Sequence, residues 1–496
     1  MEKIDFDRED LFDFETSFYS LTALKKYHPR LVKQIHSSWE EERRFCREEL
    51  APLVLEEDRK HAQNPDYLSW EMLRLAGKHG RLSAFIPRFM GGNARSGLGF
   101  SMINQEEQAS VDTAFSGLMG GHGLGLCALM VTHNLRILIE VAEKIVENEK
   151  KEKPYVIDCA ITEPMAGTDV EEVELYPKAK LICQAKKVPG GAILNGRKVF
   201  ISTGHMASDH VILMPFDLRD PVNTYACFLV PNDAKGFSLG RKERKMGQRA
   251  GPASELIFED CFVPEDRIVI DANKYSKEKF PGAFDSLLYT VLGITRTAVG
   301  AMSTGNARGS FERVLYLAKR TKYKGKTLLN QQWVQAILTN MYINVMMARS
   351  VYLEAQFSLL NNLEMPGMEM PSIMNTRVAT FLMKKLMKNP WWRKILFSER
   401  MQEYLVKRLT KLPQDQQARI QIMSSLAKVV GSDIAMENAH LAVEFLSRSG
   451  LRHDAGIEKI FRDAKLLQIF EGTNQLNRLN IFKNLIARHY PEVQVF

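Results

Sequence analysis

A carboxylate near the C-terminus sits where a base could abstract a proton. In QIFEGTNQ, Glu471 follows an apolar run and is followed at once by Gly472 and Thr473. Apolar neighbours desolvate the charged form and raise its pKa, as a base working near neutral pH requires. A Glu beside a helix end also reads as a cap. Two upstream segments carry groups of another kind. KVFISTG (198–204) reads as a strand with Phe200 and Ser202 on one face and Ile201 on the other. An aromatic with a hydroxyl two residues later suits stacking and one hydrogen bond to a planar ring, and it suits core packing too. ITEPMAGTDV (161–170) reads as a turn-rich loop after a strand. Its hydroxyls, Thr162 and Thr168, and a Gly for close approach suit either the polar rim of a ring ligand or a structural turn.

These groups need elements to hold them. From about residue 20 to 150 the pattern is helical: HSSWEEERRFCREELAPLVLEEDRK spaces apolar positions by three and four, and Pro87, Gly91 and Gly92 interrupt it in IPRFMGG. After Pro154 come short β-type segments (YVIDCAIT, AKLICQAK, KVFIST, DHVILMP, YACFLVP, SELIFEDCFV) separated by Gly, Pro, Asn and Asp. Long helical periodicity returns from about 281. Helices, then strands, then helices predict a segregated α+β architecture, with regions 1–150, 151–272 and 273–496. GLMGGHGLG (117–125) has neither the glycine spacing nor the strand-to-helix context of a dinucleotide site.

Composition sets outer bounds. The chain has 496 residues, 45% hydrophobic and 25% charged, enough for two or three cores and unlike a disordered chain. Its net charge of +8 is concentrated. Between Arg377 and Leu412 lie ten basic residues and only Glu399 and Glu403 as acids, and the remainder is balanced. The six cysteines are scattered, and His122, His133, His205 and His210 are isolated, so neither disulfides nor a metal site is expected. The N-terminus MEKIDFDRED lacks an apolar signal region, and no run approaches the ~20 apolar residues of a spanning helix. A cytoplasmic protein is expected.

Taken together, order and spacing resemble the acyl-CoA dehydrogenase family. The matching stretches are IPRFMGG (86–92), ITEPMAGTDV (161–170), GRKVFISTGHMASDHVIL (196–213), KMGQRAGPASELIFEDCFVPEDRI (245–268), Arg296, Gln332 and FRDAKLLQIFEGTNQ (461–475). The resemblance implies a helical N-terminal domain, a middle antiparallel β-domain and a C-terminal four-helix bundle, with FAD between sheet and bundle. It implies Glu471 as the base that removes the α-proton of an acyl-CoA thioester while the β-hydrogen leaves as hydride to the flavin. Thr162, Gly167, Thr168, Phe200 and Ser202 would line the flavin, with Thr168 and Gly472 also at the substrate. Thr473 and Gln475 would border FAD, and Arg320, Tyr323 and Gln332 would reach the FAD of a neighbouring subunit in a homodimer or dimer of dimers. Arg296 would meet the CoA end. Thr295 occupies the family's alternative base position, which leaves Glu471 without a competitor. Electrons would pass to an electron-transfer flavoprotein. The same-fold alternative is an acyl-CoA oxidase using O₂, and the other-class alternative is a non-catalytic or assembly relative with weakened FAD binding.

Three features depart from the family pattern. The Arg, aromatic and Gly of the cross-subunit contact appear as Arg320, Tyr323 and Gly325, with the Gly in register from Gln332 and Arg320 and Tyr323 one residue early. Glu444, Ser447 and Arg448 stand where the family carries a Gln and paired glycines near the cofactor, so Arg448 must pair with phosphate or with Glu444. An insertion at about 361–415 holds the charge surplus and mixes Lys and Arg with Trp391, Trp392 and aliphatics. That composition suits peripheral contact with the inner face of a membrane through 376–412. A solvated helical hairpin and docking of an acidic protein remain open. Nucleic acid is not expected, since no binding motif accompanies the basic residues.

Overall fold

A computed structural model describes residues 11–93, 101–271, 283–362, 381–382, 385–386, 389–409 and 412–496. Its main N-terminal helices are α1 (Pro29–Arg44), α2 (Ala51–Gln63), α3 (Trp70–Lys78), α4 (Met102–Val111), α5 (Thr113–Val131) and α6 (Leu135–Lys150). The Asp112 carboxylate caps α5 by accepting from the amides of Ala114 and Phe115, satisfying donors that a first turn leaves unpaired. By length and composition α5 is apolar enough to cross a membrane, contrary to the sequence expectation, yet 72% of that stretch is buried inside the protein.

Eight strands follow: β1 (Ile157–Ala160), β2 (Gln184–Val188), β3 (Gly191–Ser202), β4 (Asp209–Pro215), β5 (Tyr225–Pro231), β6 (Phe237–Lys242), β7 (Ala253–Pro264) and β8 (Ile268–Asp271). They form two sheets, ordered β1-β4-β5-β8 and β2-β3-β7-β6. All pairs are antiparallel except β1 with β4, which runs parallel. Ile212, Phe228, Leu194, Leu256, Phe258 and Val263 share one buried core, as expected where alternate residues of both sheets turn inward. Strand β3 is bulged between Lys198 and Ile201, and that irregularity re-aims Phe200.

The C-terminal region is built on three long helices, α7 (Ala283–Arg320), α8 (Gln332–Asn362) and α11 (Gln414–Ser449). The fourth place in the bundle is taken by α12 (Ala455–Leu467) and α13 (Asn474–Leu485) in succession. The chain between them carries Glu471. Of the basic insertion, α9 (Pro390–Leu396) and α10 (Glu399–Leu409) are described, whereas 363–380, 383–384, 387–388 and 410–411 lie outside the described residues. Helix α10 is docked: Val406 is fully buried, and the Gln402 amide donates to the carbonyls of Thr132 and Val269 at 3.0 and 3.1 Å.

Charged side chains hold the N-terminal helices to the bundle. Glu106 of α4 accepts from Arg349 at 2.6 Å and from the Tyr352 hydroxyl at 2.6 Å. Its neighbour Glu107 pairs with Arg308 at 2.7 Å and with Arg43 at 3.2 Å. Each of these carboxylates has partners on more than one element, which offsets the cost of burying it.

Candidate active site

A cavity of about 1400 Å³ opens where the three regions meet. Its wall includes Gly117 and Gly120 of α5, the loop from Thr162 to Thr168, Phe200 to Ser202, Thr295 and Met302 of α7, Glu471 and Thr473. A single drug-sized ligand occupies a pocket of roughly 300–1,000 Å³. The volume therefore accommodates two elongated molecules side by side.

Glu471 sits in the break between α12 and α13, with φ at +57° followed by Gly472 at +77°. A left-handed non-glycine residue costs roughly 1–3 kcal/mol and persists only where its surroundings over-determine it. Here they do. The Asn477 amide donates to the carbonyls of Glu471, Gly472 and Thr473 at 3.2, 2.9 and 3.1 Å, and Arg296 Nε donates to the Glu471 carbonyl at 3.2 Å. The Thr473 hydroxyl caps α13 by accepting from the Leu476 amide. The carboxylate itself accepts from the Thr295 hydroxyl at 2.6 Å, which fixes its rotamer. Burial raises its pKa, opposed by the Thr295 hydrogen bond and by the charges of Arg296 and Lys428.

The opposite wall is equally constrained. Glu163, in the first turn of the 161–170 loop, pairs with Lys198 of β3 at 2.9 Å, both side chains fully buried. Its other oxygen accepts from the amides of Ile182 and Cys183. The Thr162 carbonyl accepts from the Val199 amide at 3.0 Å, so loop and strand move as one. At the bulge Phe200 is held at φ +59° with 60% of its surface open. An aromatic face bared in a strained turn, flanked by Ser202 and by the hydroxyls of Thr162 and Thr168, fits a planar heteroaromatic ring with a polar rim.

Thr162, Gly167, Thr168, Phe200, Ser202, Glu471 and Thr473 thus come together on one cavity. Arg296, expected at the CoA end, does not line the cavity. It is fully buried behind Glu471, where it bonds the Glu471 carbonyl and Gln421 Oε1 and lies 3.6 Å from Glu171. Its Nε and Nη1 are hydrogen-bonded to protein, and Nη2 has only the longer contact with Glu171. Gly472 lies beside it, in the turn itself. Arg320, Tyr323, Gln332 and Gln475 do not line the cavity. Arg320 stacks on Tyr316, and Tyr323, Gln332 and Gln475 are exposed. Arg448 pairs with Glu444 at 3.0 Å and lies over Trp333, one of the two pairings its sequence position required. Sequence reasoning missed Glu171, Lys428 and Asn477. The first stands one residue beyond the recognised loop motif and the others are polar residues within helices, so only their burial singles them out.

Comparison with known proteins agrees with the order of the three domains. Residues 36–134 match the N-terminal domain of acyl-CoA dehydrogenases, 159–261 the middle domain, and 284–388 with 394–486 the C-terminal domain. A probable acyl-CoA dehydrogenase of Mycobacterium bovis is 26% identical over 444 residues, which cover 90% of this chain and 93% of that protein. Butyryl-CoA dehydrogenase from Megasphaera elsdenii shares the fold with a TM-score of 0.68 at 20% identity, covering 91% of this chain and 98% of that one. An acyl-CoA dehydrogenase from Bacillus anthracis, solved with FAD, gives 0.69 at 21% identity over 92% of this chain and 67% of its own. With all three domains matched in order, the chain belongs to the acyl-CoA dehydrogenase family.

Proposed function

We propose that this protein is an FAD-dependent dehydrogenase that converts an acyl-CoA thioester to its trans-2-enoyl-CoA, with Glu471 as the α-proton base. The observation that carries the reading is a desolvated carboxylate, locked by Thr295 and a left-handed turn, facing the same cavity as Phe200 and Ser202. FAD supplies the acceptor for the β-hydride. Phe200, Ser202, Thr162 and Thr168 would hold its ring system, and the apolar walls from α5 and α7 would exclude water from the acyl chain. Glu471 takes the proton as its carboxylate, and the Thr295 hydroxyl keeps that carboxylate aimed.

Visible spectroscopy tests this directly. The purified protein is expected to be yellow and to bleach anaerobically with an acyl-CoA, while Glu471→Gln keeps its flavin and does not bleach. A colourless protein that ignores added FAD, or undiminished reduction in Glu471→Gln, sinks the proposal.

Electrons then pass to an electron-transfer flavoprotein; rapid peroxide formation without an added acceptor would reassign the protein as an oxidase. We also infer a homodimer or dimer of dimers, in which Arg320, Tyr323, Gln332 and Gln475 serve the cofactor of the neighbouring subunit. Their solvent-facing positions on a single chain support that reading. The protein is cytoplasmic, with the insertion resting on an anionic membrane surface. Its described part supports this contact: α10 is anchored to the body, and α9 leaves Trp391 61% and Trp392 39% exposed beside Arg393 and Lys394.

A further inference from the structure

The break between α12 and α13 is fastened to α11 at both of its ends, and one fastening is a buried ammonium. Gln468, the cap of α12, donates from its side-chain amide to Asp433 Oδ1 at 2.8 Å. Asn474, which opens α13, donates to the same oxygen at 2.7 Å and accepts at its own Oδ1 from Lys428 Nζ at 2.5 Å. The Asn474 backbone amide donates back to the Gln468 carbonyl at 3.1 Å, so residues 468–474 close into a loop that carries Glu471. Asp433 is held in turn by Arg478 at 2.6 Å. Lys428 is fully buried and Asn474 nearly so. Neither borders the cavity, and the reaction as described uses neither.

An ammonium taken out of water is costly unless opposite charges face it. Lys428 is faced by Glu171, from the short turn Thr168–Glu171, by Glu471, and by Asp433 of its own helix, with Arg296 of α7 opposing them. Burial brings it down to about 7, so it carries its proton on the acid side of that value. Burial lifts Glu171 to about 7 against the pull of Arg296, so on the same side Glu171 is mostly neutral. Glu471 is faced by Thr295 and Arg296 of α7, by Lys428 of α11, and by two thiols, Cys127 of α5 and Cys159 of β1. Burial pushes both thiols upward, Cys127 to about 12, and they stay neutral. Below pH 7 the charges that act on the Glu471 carboxylate are therefore the two cations, and a nearby cation favours the ionised form.

We propose that Lys428 is a positioning residue for the dehydrogenation: it ties the start of α13 to α11 and, with its ammonium, keeps Glu471 ionised in a dry site. This rests on Glu471 being the base proposed above. A base must be free of its proton when the thioester arrives, and desolvation works against that. Arg296 grips the turn by the Glu471 carbonyl and Lys428 grips it by Asn474, so cations on two different helices hold one turn.

The test is the pH dependence of anaerobic flavin reduction by an acyl-CoA in the FAD-loaded enzyme. Reduction requires ionised Glu471, so its acid limb marks the pKa of that group in the complex. Lys428→Gln keeps a donor for Asn474 and removes the charge. Its limb is expected to move up by about one pH unit, which slows reduction about tenfold at the acid end. Lys428→Arg keeps a charge at every pH and should leave the limb near its original place. A tie without an electrostatic part would lower the rate at every pH and leave the limb where it was. An unmoved or lowered limb in flavin-loaded Lys428→Gln therefore overturns the proposal, as does a wild-type limb above about 7, where Lys428 has lost its proton. Should the Gln variant not retain flavin, Lys428→Met is read in its place against Lys428→Arg; loss of flavin there too makes Lys428 a folding residue and overturns the proposal. A wild-type enzyme that no acyl-CoA reduces removes the function on which the inference rests, whereas a reducible enzyme with an unmoved limb removes only the role of Lys428.

Discussion

At the scale of single residues, the site balances groups that push one carboxylate in opposite directions. Burial raises the pKa of Glu471, and the Thr295 hydrogen bond, Arg296 and Lys428 lower it. Thr295 makes the shortest of these contacts, 2.6 Å to Oε2, and a hydrogen bond to an ionised group is stronger than one between neutral partners. Thr295→Val removes the donor at nearly constant volume. Its acid limb should move to higher pH, and flavin reduction at pH 7 should slow by about tenfold. Stopped-flow reduction across pH checks both; an unchanged limb would mean that the hydroxyl only fills space. Arg296 illustrates a different residue-level point. Its charge lies off the cavity wall, among the backbone carbonyl of Glu471 and the side chains of Gln421 and Glu171.

At the scale of elements, α5 and the insertion show composition and location parting company. Helix α5 is apolar enough for a bilayer but lies inside the protein, with Gly117, Gly120, Cys127 and Val131 on the cavity wall. The insertion divides its labour. Helix α10 is tethered by Gln402 to the end of α5 and to β8 and inserts Val406 into the body, whereas α9 bares its tryptophans. The proposed membrane contact therefore belongs to α9 and can be removed without undocking α10. Trp391→Ser with Trp392→Ser should abolish sedimentation with anionic liposomes and leave turnover of a soluble short-chain substrate within about twofold, as surface substitutions away from the site do. If the wild-type protein fails to sediment at low ionic strength, the contact does not exist.

At the scale of the whole molecule, the ion cluster between α4 and the bundle makes assembly of the regions pH-dependent. Burial would raise the Glu107 carboxyl, but Arg308, Arg43 and Arg47 outweigh it and hold the group down from 4.5 to about 2. A carboxyl depressed in the folded state adds stability above its unfolded pKa and loses it as pH falls through the folded one. The loss is thus expected between pH 4.5 and 2. Glu107→Gln should destabilise the protein at neutral pH by about 3 kcal/mol, because it removes the buried negative charge that Arg43, Arg47 and Arg308 share. It should also lose less on acidification than the wild type. Urea unfolding across pH reads both effects, and parallel curves for the two proteins would refute the assignment.

The residues themselves determined the order of helices, strands and helices, and they singled out the 161–170 loop, the Phe200–Ser202 pair and Glu471, which line one cavity. Each is carried by local spacing or by a contiguous motif, and local sequence acts through local backbone geometry. Glu444 and Arg448 belong here too, since four residues along a helix bring side chains together whatever the rest does. Tertiary structure alone decided what lies behind Glu471. Arg296 is 175 residues from it in sequence, and Glu171 and Lys428 arrive from other elements. A charged residue far along the chain reads as exposed until folding shows which partners desolvate it. For the same reason Arg296, which the family resemblance puts at the CoA end, lies buried behind Glu471 and off the cavity wall. The parallel β1–β4 pair and the docking of α10 through Gln402 are likewise products of packing. Burial is a property of the assembled chain, and burial is what gives these carboxylates their chemistry.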